Sequence, residues 1–119
     1  MASKVYEQHD KHFACVAAYI VMMGSEKVGK IAIKFPQDGA GRLYAYVHWY
    51  GDEMLRGSAT GYGYDKRSAA IANAVKGSAI AEDGIPSDHD KFIRALKADS
   101  GLSWDSQLHR EGFEVHQAI

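Results

Sequence analysis

At 119 residues the chain falls in the size range of one domain with one core, and it reads as a single unit over 1–119. A composition of 46% hydrophobic, 24% charged and 11% aromatic residues excludes intrinsic disorder as the main state. The 14 basic and 15 acidic residues leave a net charge of -1, which excludes an extended nucleic-acid-binding surface, so any phosphate contact has to come from a local patch.

Residues 1–12 are polar and read as a loosely packed N-terminus. Phe13–Met23 is rich in β-formers and apolar on both faces, as in a strand covered on each side. This run is shorter than the ~20 residues that span a bilayer, and it lacks the flanking charge and cleavage pattern of a secretory leader. A single cysteine, Cys15, lies inside it, which points to a reduced, buried thiol and a cytoplasmic protein with no membrane partner. In 30–35 the alternation is cleaner: Ile31, Ile33 and Phe35 share one face, and Lys30, Ala32 and Lys34 the other. Pro36-Gln37-Asp38-Gly39-Ala40-Gly41 turns the chain into 42–50, where Leu43, Ala45, Val47 and Trp49 alternate with Tyr44, Tyr46, His48 and Tyr50. Gly51-Asp52 supplies a tight turn into a short strand over 54–59.

From Tyr64 the signals become helical. Asp65 is placed to cap a helix running to about Lys76, ended by Gly77, and its alanines suggest close packing on the sheet. Pro86, Ser87 and Asp90 approximate a capping box for a second helix carrying Phe92, Ile93 and Leu96, with Gly101 ending it after Ser100. Residues 112–117 alternate enough to form a final strand. The fold class is therefore α+β: an antiparallel sheet of three to five strands followed by two helices packed on one face.

Several motifs invite chemistry and are set aside on physical grounds. Gly24-Ser25-Glu26-Lys27-Val28-Gly29-Lys30-Ile31 has the glycine and lysine spacing of a phosphate loop. It lacks the following Ser or Thr, and a strand rather than a helix comes next, so a polar hairpin turn is the reading adopted. His9 and His12, with His48, His89, His109 and His116, have no metal-site pattern, and one cysteine excludes thiolate-rich zinc sites; no metal or cofactor is expected. No nucleophile elbow is present, and the chain reads as a binder and not an enzyme. Tyr44, Tyr46, His48 and Tyr50 form a candidate interface, provided the helices do not cover that face. The sharpest segment is Gly57-Ser58-Ala59-Thr60-Gly61-Tyr62-Gly63-Tyr64-Asp65-Lys66-Arg67-Ser68, a glycine-rich loop opening into a helix. There Gly61 and Gly63 allow backbone approach, Lys66 and Arg67 supply charge, Ser68 a hydroxyl, Tyr62 or Tyr64 a stacking ring, and Arg56 a further cation. Asp65 opposes this, because a carboxylate at the cap competes for the same N–H donors.

Gly39-Ala40-Gly41-Arg42-Leu43 together with Gly61-Tyr62-Gly63-Tyr64-Asp65-Lys66-Arg67-Ser68-Ala69-Ala70 resembles small proteins encoded by phages and other mobile elements, over roughly residues 13–76. The strand-rich front with paired helices behind looks like the Thoeris anti-defence sponges, which sequester cyclic nucleotide signals without cleaving them. Size and setting are equally similar to anti-CRISPR proteins, which bind a protein or ribonucleoprotein surface. No ligand residue transfers from either family to a position here, so the candidate residues rest on the loop argument alone. The resemblance implies a counter-defence protein whose partner is a phosphate-bearing nucleotide or, alternatively, a host defence protein. Open sheet edges also make a homo-oligomer an expectation.

Overall fold

The computed structural model describes residues 13–36, 41–50, 54–61, 64–78, 84–98 and 101–118. Among these residues five strands form one antiparallel sheet: β1 (Phe13–Met23), β2 (Glu26–Pro36), β3 (Arg42–Trp49), β4 (Met54–Thr60) and β5 (Glu114–Gln117), in the order β4-β3-β2-β1-β5. Three described helices follow the fourth strand: α1 (Tyr64–Val75), α2 (Asp88–Lys97) and α3 (Trp104–Arg110). The α+β class is as expected, with one helix more than the sequence suggested. That helix, α3, has seven residues, and Ser103 at its N-cap makes no side-chain cap bond, so neither length nor capping announces it. α2 also ends earlier than Ser100: Lys97 is its last residue, Ala98 is extended, and Gly101 takes φ 76° in the connection beyond. Its start follows the expected capping box, with Asp90 N donating to Ser87 Oγ at 3.1 Å and Ser87 N to Asp90 Oδ2 at 3.2 Å. The N-terminal twelve residues, the turn at Gly51-Asp52, and Tyr62 and Gly63 lie outside the described residues, as does most of the turn after Pro36.

Because strand side chains alternate, the register assigns every residue to one of two faces. One face carries Tyr19, Ile31 and Val47 in a row, with Ala17, Ile33 and Ala45 beside it. All three helices pack on this side. Phe92 of α2 meets Trp49 at 4.9 Å between ring centroids, and Trp104 of α3 meets Tyr19 edge-on at 4.7 Å. Phe113 closes the cluster against Phe92 and Trp49, each at 6.0 Å. Ile31, Ile33, Leu43, Ile71, Phe92 and Leu108 are fully buried here, and each such side chain contributes about 1.5–3 kcal/mol by leaving water.

At Gly57 helix and sheet meet backbone to backbone. A Cβ there would run into Ala74 N and Ala70 O of α1 and lie 2.7 Å from Ala74 Cα, so only a bare backbone lets α1 rest on β4. The alanines of α1 permit the contact from the other side, as their frequency in the sequence suggested. Polar ties complete the layer: Asn73 Nδ2 donates to Ser58 O at 2.8 Å, and buried Gln107 Nε2 donates to Ala95 O at 2.7 Å, joining α3 to the end of α2. No helix among the described residues is long and apolar enough to cross a membrane.

Candidate functional site

The second sheet face carries the rings. Tyr44, Tyr46 and His48 of β3 stand beside Lys34, Ala32 and Lys30 of β2 on one side and Ser58, Arg56 and Met54 of β4 on the other. The expectation that made these tyrosines an interface depended on the helices choosing the opposite side; the helices lie there, while on this face Ala32 and Lys34 are fully buried and Tyr44, Tyr46 and His48 half-buried. Two cations already lie over rings: Arg56 Cζ is 5.8 Å from the centre of Tyr44, and Lys34 Nζ is 5.1 Å from that of Tyr46. Lys34 is fully buried, whereas Arg56 is exposed. At the far end His48 packs edge-on against Tyr50 at 5.2 Å, with Tyr50 and Met54 each 36% exposed.

The charged residues at the start of α1 do not converge. Successive helical residues are turned by about 100°, so Lys66, Arg67 and Ser68 point three ways. Arg67 belongs to the stripe of Ala70, Ile71 and Ala74 that faces the sheet, and its Nη1 donates to Tyr19 Oη at 2.8 Å. Ser68 and Asp65 share a helix face with Ala72 and line a cleft of about 480 Å³ against α2 and α3, where the carboxylate opposes an anion. Lys66 shares its face with Ala69 and Asn73 and looks toward the free edge of β4. Gly61 has φ +110°, but its N–H donates to Gly41 O at 2.8 Å, and a Cβ there would meet Lys66 Cγ at 3.2 Å. Its bareness therefore makes room for the stem of Lys66. The side chain of Tyr64, with Tyr62 and Gly63, lies outside what the structure describes.

One cleft does gather cationic and uncharged polar residues. Between α1 and the edge of β4, a space of about 390 Å³ is lined by Arg42, Ser58, Thr60, Lys66 and Asn73, with Ala59 and Ala69 between them. Two cationic residues, two hydroxyl-bearing residues and Asn73, whose Nδ2 already donates to Ser58 O, line it, and no carboxylate is among the described lining residues. The cleft continues onto the ring face, because Ser58 is the cross-strand partner of Tyr44 and Arg42 that of Thr60. Sequence reasoning found Lys66 and missed Arg42, Ser58, Thr60 and Asn73. The antiparallel register of the hairpin over 42–60 would have placed Arg42 beside Thr60, and seven-residue spacing would have put Asn73 on the face of Lys66.

Among the described residues no group of three or more His, Cys, Asp or Glu side chains is arranged to hold a metal. No family model matches the sequence, and no curated protein and no solved structure matches the chain.

Proposed function

We propose that the protein is a non-enzymatic binding protein for a phosphate-bearing nucleotide, held with its phosphate in the β4-edge cleft and its base against the ring face. The observation that carries this reading is the cleft lined by Arg42 and Lys66 with Ser58, Thr60 and Asn73, among whose described lining residues none is acidic. An arginine offers a planar fork and a lysine a mobile point charge, a pairing that suits a phosphate. Beside it, Tyr44 and Arg56 supply a ring and a cation of the kind that take up a base by stacking. The site moves away from the loop at Gly61 and Gly63 toward the strand edge, retaining Lys66 and Arg56 from the residues first singled out. Resemblance to phage counter-defence sponges makes cyclic nucleotides the first ligands to try.

Thermal denaturation with cyclic and linear nucleotides, and with inorganic phosphate, tests the reading. At a ligand concentration a hundredfold above the dissociation constant, the folded state should gain roughly 2.7 kcal/mol. The Arg42→Ala/Lys66→Ala variant should fold normally and lose that gain, since both side chains are exposed. A folded double variant that binds as the parent does, or a parent stabilised by no nucleotide, defeats the proposal.

A protein-surface partner is the second reading, favoured by the patch of Tyr50 and Met54 around His48. It predicts that Tyr50→Ala/Met54→Ala abolishes capture of a host protein while nucleotide has no effect.

A further inference from the structure

A separate cavity lies at the other side of the helical layer. It measures about 270 Å³ and is lined by Tyr19, Arg67, Trp104, Asp105, Val115 and Gln117. Trp104 and Asp105 of this lining each carry a polar atom that is buried with no hydrogen-bond partner, Nε1 and Oδ1. Trp104 is only 2% exposed, its ring fixed edge-on against Tyr19, so the indole N–H cannot turn to solvent. Buried polar groups in native proteins are almost always satisfied, and one donor and one acceptor left open on the same wall mark a place where something polar belongs.

We propose that this cavity binds a small zwitterion of the α-amino acid class. The open groups require a ligand that both accepts and donates: an acceptor for the indole N–H and a donor for the carboxylate. Charge narrows the choice. Arg67 brings a fixed positive charge and Asp105 a negative one to the same wall, so a simple anion or cation meets one like charge, whereas a zwitterion meets two complements. The ligand carboxylate accepts from Trp104 Nε1 and the guanidinium, and its ammonium donates to Asp105. Val115 leaves room for a short apolar side chain. Water alone is the competing occupant, but a water takes up roughly 30 Å³ in the liquid, so the space is several times what one bridging molecule needs.

The test is titration of the full-length, nitrogen-15-labelled protein with glycine and L-alanine, following the indole N–H signals by NMR and identifying that of Trp104 by its loss in Trp104→Phe. Saturable movement of the Trp104 signal is expected. N-acetylglycine and glycinamide, each lacking one charge, should bind roughly tenfold or more weakly, and Asp105→Asn should weaken glycine to a similar degree. Arg42→Ala/Lys66→Ala should leave this titration unchanged, so it stands or falls independently of the nucleotide site. A Trp104 signal indifferent to glycine and L-alanine overturns the proposal and leaves water in the cavity. Equal affinity for the singly charged analogues overturns it as well.

Discussion

The two faces of the sheet are built from the same strands, yet they are governed by different physics. Ile31 and Lys30 are neighbours in the chain; the first is fully buried beneath the helices, and the second stands beside His48 on the ring face. On the helix-covered face shape decides: side chains interlock, and at Gly57 even a methyl group has no place. On the ring face chemistry decides, with Tyr44, Tyr46, His48 and Tyr50 interleaved among lysines and arginines. Alternation along β2 and β3 divides the residues correctly between the faces, but it is symmetric and does not say which face receives the helices. Gly57 and the alanines of α1 break that symmetry, because only one parity of β4 is bare enough to accept a helix backbone.

The largest effect on stability is therefore expected from Gly57→Val. The new side chain meets α1 backbone atoms and not a flexible side-chain tip, so the loss should exceed the roughly 1–3 kcal/mol usual for overpacking and approach complete unfolding. Circular dichroism during urea titration reads it directly. A Gly57→Val protein as stable as the parent means that α1 does not rest on β4. The paired substitutions Ile31→Ala and Lys30→Ala come next. The first should cost roughly 2–5 kcal/mol as a large-to-small core change. The second removes a half-buried side chain outside the helix-packed core, so it should cost clearly less than the first. Similar losses at both positions mean that the ring face is packed as tightly as the other.

Much of this architecture is legible without coordinates, and the parts that are not share a cause. Period-two alternation locates β2 and β3, and Ser87 with Asp90 locates the start of α2, because these signals are local. The short helix α3 has too few residues to show a period, and it is held by tertiary contacts, including Gln107 reaching Ala95 O and Trp104 packing on Tyr19. Lys66, Arg67 and Ser68 look like one cluster on paper, yet a helix sends them to three environments. Conversely, Arg42 and Lys66 are 24 positions apart, and only the register of β3 on β4 with the seating of α1 brings them to one cleft. Proximity in sequence is adequate for the elements, whereas the proposed site depends on how they pack.

A small expected change in stability carries the sharpest functional contrast. Arg56 is exposed on the ring face and interacts with Tyr44 through a cation–ring contact, which at an exposed position is worth about 0.5–1 kcal/mol. Arg56→Ala should therefore leave the denaturation midpoint almost where it was. Nucleotide affinity should nevertheless fall, by roughly tenfold, because a bound base loses a stacking cation and the phosphate a nearby charge. Calorimetric titration of parent and variant, alongside their urea midpoints, separates the two effects. Lost stability with unchanged affinity would make Arg56 a brace for Tyr44 and would turn the ring face into a second structural layer. Unchanged stability with lost affinity assigns that face to binding, leaving the fold to the helix-covered side.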